Sequence, residues 1–467
     1  MSADFVLRGG QIVLPQGVVQ AELVVHEGRI VEVITEPDAG AGTAGAAGTD
    51  AAAGTASAGS ATRVLDARGF TVFPGVIDAH VHFNEPGRTN WEGIATGSAA
   101  LAAGGGTCFI DMPLNSDPPL LDGPAFDAKH AAASVRSRTD FAFYGGLTPD
   151  NLDSLEELAE RGVVGFKAFM CPSGIHEFQH VDADTLHRGM ETAARLGLPV
   201  LLHAESPAVL AAAAAAADST AAGDTRAVTA PDAVRRFIDS RPVDAEIAAI
   251  TQALSVAAET GCRVHIVHVS SGRGVKLIRG AVMEHGLSAS CETCPHYLYF
   301  NEQDLQDIGA RAKCAPPLRD ELTRRDLLSR LIGGEIDTVG SDHSPCPPDL
   351  KDGLPFEQAW GGIAGVQTTL RTLLTLGVPV QRIAQLTAAR PAELFRLPGK
   401  GSLQVGNDAD FTLVELDHES PVSLAELQDR HHMSPFVNRP LRGRIHATYL
   451  RGRRISAETR GQLIRPS

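Results

Sequence analysis

Short apolar runs separated by glycine turns fill the first 36 residues of the chain and return near its C-terminus. Phe5-Val-Leu and Arg29-Ile-Val-Glu-Val-Ile at one end, and Arg444-Ile-His-Ala-Thr-Tyr-Leu at the other, have the length and spacing of small antiparallel strands. Because both ends share this pattern, we expect residues 1–73 and 399–467 to build one small β domain. Residues 37–62 are almost entirely Ala, Gly, Thr and Ser, a composition that cannot bury a core and predicts a flexible insert.

Between residues 74 and 398 the pattern changes to apolar β-type runs that alternate with Ala-, Leu-, Glu- and Arg-rich helical stretches. Thr107-Cys-Phe-Ile-Asp-Met and Val200-Leu-Leu-His are two such runs. Alternation over this length predicts an α/β fold with a parallel sheet closed as a TIM-like (β/α)8 barrel. An open doubly wound sheet is the alternative, but no GxGxxG motif follows the first strand to indicate dinucleotide binding.

Length, charge and cysteine usage narrow the class of protein. A chain of 467 residues fits a barrel of about 250 residues or more with a smaller domain. The net charge of −15, without Lys/Arg clusters, argues against nucleic-acid and anionic-membrane partners. We find no signal peptide and no run of 18 apolar residues, and the seven scattered cysteines are typical of reduced thiols. We therefore expect a cytoplasmic protein.

The first predicted barrel strand ends in a pair of histidines. In Phe73-Pro-Gly-Val-Ile-Asp-Ala-His-Val-His-Phe, an apolar run behind a Pro-Gly turn leads to His80 and His82. Residues i and i+2 of a strand point to the same side, so both imidazoles can reach one point. At the C-terminal end of a barrel strand this is a metal-ligand arrangement, although two histidines can also share a face by chance.

Four further strands carry a candidate at or near the same end, so these side chains are expected to converge. Each has an alternative interpretation: His203 as a core histidine, His268 in competition with His265, and Asp342 as a cap of the next turn. A lysine in an apolar strand is costly unless it is paired or neutral, and as a carbamate it could bind two metals. Imidazoles with a carboxylate suit zinc or a similar divalent ion. The candidates are Lys167, His203, His268 and Asp342.

The order His-x-His, Lys, His, His, Asp resembles that of the cyclic amidohydrolases, which include dihydropyrimidinases, hydantoinases, dihydroorotases and allantoinases. The resemblance covers nearly the whole chain except the insert and implies a TIM-like barrel with a small β-sandwich domain. It also implies two divalent metals, zinc first with Co, Mn or Fe possible, bridged by a hydroxide and by a lysine carboxylated with CO2. By the match, the metal ligands are His80, His82, Lys167, His203, His268 and Asp342, and Lys167 is the N6-carboxylysine.

Within this group the sequence is most similar to the allantoinases. The segments that carry this similarity are Glu85-Pro-Gly-Arg-Thr-Asn-Trp-Glu-Gly, Cys291-Glu-Thr-Cys-Pro-His-Tyr, Ser341-Asp-His-Ser-Pro-Cys-Pro-Pro and Ala359-Trp-Gly-Gly-Ile-Ala-Gly. Dihydroorotases usually place a carboxylate-binding arginine where this chain has Asn84, which cannot form a charged bidentate clamp. Hydantoinases usually place an oxyanion-binding tyrosine where this chain has Pro172. Both departures favour allantoin, a neutral substrate.

The resemblance implies hydrolysis of the cyclic amide of allantoin to allantoate in purine degradation. Asp342 would accept the proton of the nucleophile and deliver it to the leaving nitrogen. Asn115 and the backbone near Ala315 are the candidate substrate contacts, and a homotetramer is expected. The alternatives are a hydantoinase or dihydropyrimidinase-type cyclic amidase, a non-catalytic scaffold relative and a metal-free barrel.

Overall fold

In the computed structural model, residues 4–35, 63–221 and 230–467 are described, and the predicted insert 37–62 lies outside them. These residues form the following strands: β1 (Phe5–Arg8), β2 (Gln11–Leu14), β3 (Gly17–His26), β4 (Arg29–Thr35), β5 (Arg63–Asp66), β6 (Thr71–Pro74), β7 (Val76–Val81), β8 (Gly106–Asp111), β9 (Asp140–Phe143), β10 (Gly145–Gly146), β11 (Phe166–Phe169), β12 (Val200–His203), β13 (Val264–Ile266), β14 (Ala289–Thr293), β15 (Thr338–Val339), β16 (Phe411–Pro421), β17 (Pro440–Leu450) and β18 (Arg453–Arg454).

The helices follow the barrel-type strands along the chain. They are α1 (Ile94–Ala103), α2 (Gly123–Arg136), α3 (Leu155–Arg161), α4 (Ala183–Arg195), α5 (Pro207–Ala221), α6 (Ala230–Asp239), α7 (Val243–Thr260), α8 (Gly272–His285), α9 (Pro295–Tyr299), α10 (Glu302–Ile308), α11 (Glu321–Ile332), α12 (Thr369–Thr375), α13 (Val380–Ala384) and α14 (Arg390–Leu394). Among the described residues, none of these helices is both long and apolar enough to cross a membrane.

Helix α4 shows why these sequences form helices packed on strands. The carboxylate of Asp182 accepts a hydrogen bond from the backbone N–H of Thr185, which satisfies one of the free donors at the helix start. Leu186, Met190 and Ala193 then recur at spacings of four and three, and all three are buried. The helix therefore has one apolar face, and this face belongs to the main hydrophobic core.

One curled sheet of nine strands draws on both ends of the chain. Its order is β18-β17-β16-β6-β2-β3-β1-β5, with β4 paired to β3. The ends meet where β16 runs antiparallel to β6, with Phe411 opposite Pro74. The pattern predicted antiparallel strands, and this is wrong for two pairs, because β1 with β5 and β2 with β6 are parallel. Each parallel pair joins strands from opposite sides of residues 36–62, and so long a connection allows the chain to return in the same direction.

The middle of the chain forms two parallel sheets that meet at both edges. One contains β7, β8 and β9, and the other runs β10-β11-β12-β13-β14-β15. Strand β9 passes into β10 with only Tyr144 between them. At the other edge Val81, the last residue of β7, forms a parallel bridge with His343, which follows β15. All the carboxyl ends therefore lie on one side, and the strand-end candidates can share one site.

Candidate metal centre

The six candidate ligands all line one cavity of about 870 Å³. His80 lies in β7 and His82 follows it, while His203 ends β12. His268 comes two residues after β13 and Asp342 three residues after β15. Lys167 is the second residue of β11 rather than its last, so its long side chain reaches the cavity from deeper in the sheet.

The nitrogen atoms of four histidines face one another across this cavity. Nε2 of His80 and Nε2 of His82 each lie 3.3 Å from Oδ1 of Asp342. On the other side, Nδ1 of His203 lies 3.1 Å from Nε2 of His268. The ring centroids of His80 and His268 are 5.5 Å apart, so the two groups adjoin. Imidazole nitrogens and a carboxylate at such spacings are a donor set for divalent metals.

Lys167 lies within this set with its Nζ atom buried and without a hydrogen-bond partner. Nζ of Lys167 lies over the Phe169 ring, 5.0 Å from its centroid. Burial lowers the pKa of Lys167 to about 7, although the charges of Asp342 and Glu292 oppose this shift. A large part of the Lys167 population is therefore a neutral amine at neutral pH, which is the form that reacts with CO2.

At neutral pH the four imidazoles and the Asp342 carboxylate are in the charge states that can bind a metal ion. Burial lowers the pKa of His80 to about 4, and it also lowers the pKa of His82, His203 and His268. These imidazoles are therefore neutral and keep a free lone pair. Burial alone would raise the pKa of Asp342, but the neighbouring histidines outweigh it and hold this pKa well below its usual range.

Two of the six candidate ligands have a left-handed backbone, with φ of 40° at His268 and 46° at Asp342. Non-glycine residues adopt this conformation at a cost, and it is frequent at functional sites that the surrounding structure constrains. Oδ1 of Asp78 accepts hydrogen bonds from the backbone N–H groups of His80 (3.1 Å) and Ser341 (3.0 Å). This buried carboxylate joins β7 to the segment that carries Asp342.

Two neighbouring histidines, His265 and His343, have contacts outside the set of candidate ligands. His265 does not line the cavity, and its Nδ1 lies 2.7 Å from Oγ of Ser290. Nε2 of His343 lies 3.2 Å from the Glu92 carboxylate, and its Nδ1 accepts from the Gly365 backbone N–H. Of the two competing histidines, His268 lines the cavity and His265 does not.

The proposed substrate contacts also line the cavity, together with Pro172. The side-chain amide of Asn115 lies 3.3 Å from Nδ1 of His82 and 3.4 Å from Oγ of Ser344, so it can orient a ligand as well as face a substrate. Ala315 also lines the cavity. The adjacent loop is held in place because Nζ of Lys313 donates to the carbonyls of Phe356 (2.8 Å), Glu357 (3.1 Å) and Ala359 (2.7 Å).

Sequence reasoning missed two buried glutamates that contact the candidate ligands. Oε1 of Glu292 lies 2.6 Å from Nδ1 of His80, and Oε2 of Glu205 lies 2.8 Å from Nε2 of His203. Glu205 could have been noticed, since it follows His203 by two residues at a strand end. Glu292 had no such signal, because it reaches His80 from a strand more than 200 residues away.

Comparison with known proteins agrees with this geometry. The family model described as the amidohydrolase family matches residues 71–455. The allantoinase of Solibacter usitatus is 48% identical, covering 99% of this chain and 97% of its own, and that of Deinococcus radiodurans is 44% identical, covering 100% and 99%. The L-hydantoinase (dihydropyrimidinase) of Arthrobacter aurescens superposes with a TM-score of 0.88 at 31% identity, covering 99% of this chain and all of its own. The chain therefore belongs to the amidohydrolase family.

Proposed function

We propose that this hydrolase opens the cyclic amide of allantoin to give allantoate, using two divalent metal ions. The observation that carries this proposal is the convergence of four neutral imidazoles and an ionised carboxylate around the unpartnered, buried Nζ of Lys167. The choice of allantoin is supported by the names of the relatives that are 44% and 48% identical over nearly the full chain.

The residues present fit two metals. His80, His82 and Asp342 form one group whose ligand atoms lie within 4.8 Å of one another, and His203 and His268 form a second group beside it. Neutral Lys167 plus CO2 would give a carbamate and one proton, and this carbamate would supply oxygen ligands to the metals. Zinc suits this set best, while cobalt, manganese and iron accept the same donors.

When bound, the metals would lower the pKa of a coordinated water from 15.7 towards about 7 and polarise the amide carbonyl. Asp342 is ionised at neutral pH and faces the same space, so it can accept the proton of the attacking water. It then transfers that proton to the ring nitrogen as the C–N bond breaks. Asn115 and the backbone at Ala315 orient the substrate at the cavity wall.

The two sequence departures bear on the substrate. Asn84 is buried and donates to the carbonyl of Pro345 at 3.4 Å, so no cation stands at that position to bind a substrate carboxylate. Pro172 has no hydroxyl to stabilise an oxyanion. A hydantoinase-type activity remains the second candidate, favoured by the similarity to the Arthrobacter aurescens structure.

We further infer the architecture and state of the protein. The two parallel sheets form one closed (β/α)8 barrel of residues 74–398, supported by the bridge between Val81 and His343. Residues 1–73 and 399–467 form the small β-sandwich domain. The seven cysteines are all buried free thiols, which suits the cytoplasm. The proposed homotetramer is supported by the family resemblance and can be tested by analytical ultracentrifugation.

The test is steady-state hydrolysis of racemic allantoin beside hydantoin, dihydrouracil and dihydroorotate, with enzyme produced in added zinc and bicarbonate. We expect allantoate formation that is lost on chelation and returns with metal. Turnover of hydantoin or dihydrouracil instead would keep the metal centre and overturn the substrate. No turnover of any of the four by protein with two bound metals would overturn the substrate class.

A further inference from the structure

Each of two buried glutamates contacts one ring nitrogen of a proposed metal ligand and leaves the other free. Glu292, on β14, is 1% exposed and places Oε1 2.6 Å from Nδ1 of His80. The remaining nitrogen of His80, Nε2, is the one that faces Asp342. The contact therefore lies on the side of the ring opposite to the cavity centre.

Glu205 makes the corresponding contact with the opposite ring nitrogen of His203. Glu205 is fully buried, and its Oε2 lies 2.8 Å from Nε2 of His203, so Nδ1 is the nitrogen that faces His268. Arg241 also pairs with Oε2 of Glu205 and keeps the carboxylate in place.

We propose that Glu205 and Glu292 are positioning residues that select the ligating nitrogen, Nδ1 in His203 and Nε2 in His80. Each carboxylate oxygen lies at hydrogen-bond distance from one ring nitrogen, 2.6 Å in His80 and 2.8 Å in His203, so that nitrogen donates its proton to the oxygen and the opposite nitrogen keeps its lone pair. This inference rests on the proposed metal-dependent function. Neither glutamate was assigned a role there.

Each of these two contacts should strengthen the binding of one metal ion and leave the other ion largely unaffected. A carboxylate that accepts from the distal N–H makes the imidazole a better donor and fixes the ring, and removing such a partner typically lowers metal affinity about 10- to 100-fold. Glu205 acts on the ion held by His203 and His268. Glu292 acts on the ion held by His80 and His82, because it contacts His80.

The experiment measures zinc affinity in single-site backgrounds by competition with a chromophoric chelator. His203→Ala leaves the His80 side as the remaining site, and His80→Ala leaves the His203 side. Each background receives Glu205→Gln or Glu292→Gln, which preserve size and remove charge. We expect Glu292→Gln to weaken the ion about 10-fold or more in the His203→Ala protein, while Glu205→Gln leaves it within about 2-fold. The His80→Ala protein should show the reverse order.

Asp337→Asn is the matched control, because this carboxylate is 7% exposed, pairs with Arg390 at 3.0 Å and lies just before β15, at the opposite end of the sheet. It should alter the urea midpoint without altering zinc affinity. Cobalt-substituted wild type and Glu205→Gln should also differ in the visible cobalt absorption bands.

Three results would overturn the inference: equal weakening of both sites by either glutamine, unchanged affinities, or an effect of Asp337→Asn on affinity as large as theirs. A different result would overturn the proposed function and leave this inference intact. Wild-type protein that binds two metals and shows the expected glutamate dependence, but leaves allantoin intact, would overturn the substrate and retain the positioning roles.

Discussion

At the scale of single residues, Asp342 is the group whose removal should affect chemistry more than binding. Asp342→Asn keeps an oxygen ligand but cannot take up a proton, so kcat should fall about 10²- to 10⁴-fold, the usual range for general acid–base catalysis. Metal content by elemental analysis should stay near that of wild type. Asp352→Asn, at a half-exposed position paired with Arg311, should leave kcat unchanged. Near-normal turnover by Asp342→Asn with metals bound would contradict the assigned role.

Lys167 supports a second residue-scale prediction. Lys167→Ala removes the side chain that we propose as the ligand shared by the two ions, so we expect loss of both metals and of activity. Because the shortened side chain leaves space for a small anion, acetate or propionate with added zinc should restore part of the activity. Activity and bound metal are measured together, with the exposed Lys276→Ala as control. Full metal content in Lys167→Ala without any added carboxylate would show that the carbamate is not required.

What the sequence predicts at this scale depends on where a residue lies relative to its strand. His80, His82, His203, His268 and Asp342 follow from one rule, that strand ends of a barrel meet. Partners across the sheet follow no such rule. Glu292 lies more than 200 residues from His80 along the chain, and only the three-dimensional structure brings the two side chains together.

At the scale of elements, the close approach of β15 to β7 and β14 leaves no room for a side chain at Gly340. A Cβ atom there would lie 2.5 Å from Oε2 of Glu292 and 2.7 Å from Cβ of His80. Gly340→Ala should therefore displace one ligand, lower zinc affinity and cost about 1–3 kcal/mol of unfolding free energy. Gly280→Ala in α8, where nothing lies within 4 Å, should instead stabilise by about 0.5–1 kcal/mol. Urea denaturation checks both, and equal effects would contradict the packing argument.

Most elements were predictable because their periodicity is local. The β/α alternation and the strands near both termini follow from runs of apolar residues, and β1, β4 and β17 appear where the pattern predicted strands. Which strands pair, and in which direction, was harder to predict from the sequence. The parallel pairing of β2 with β6 depends on the path of the chain between them, which composition does not encode.

At the scale of the whole molecule, one buried ion cluster joins the barrel-type sheets to the curled sheet. Nζ of Lys400 lies 2.6 Å from Asp140 of β9, 2.8 Å from Asp408 and 2.7 Å from Asp410, which immediately precedes β16. Arg451 adds a second cation on Asp140. Three carboxylates this close could suggest a metal site, but the ammonium of Lys400 already lies among them. The cluster is therefore a structural connection between the two parts of the protein.

Lys400→Met should destabilise the protein by about 3–5 kcal/mol, because it leaves buried carboxylates without their cation. Burial alone would raise the pKa of Asp140, but Lys400 and Arg451 hold it below its ordinary value of 3.8, so its contribution is lost only as pH falls through that lowered pKa. Burial alone would lower the pKa of Lys400, but the three carboxylates raise it above 10.5, so its contribution persists at neutral pH.

In Lys400→Met the carboxylates lose the positive charge of Lys400, so their pKa values rise. As pH falls they become protonated, and the repulsion between their negative charges disappears. The difference in unfolding free energy between wild type and Lys400→Met should therefore shrink from about pH 7 to about pH 4.5. Urea titrations at several pH values measure it, and Arg68→Ala, which breaks an exposed pair with Asp66, is the control expected to show little change. A difference that stays constant or grows on acidification would mean that Lys400 does not neutralise these carboxylates, and that the two parts of the protein are joined by their apolar contacts instead.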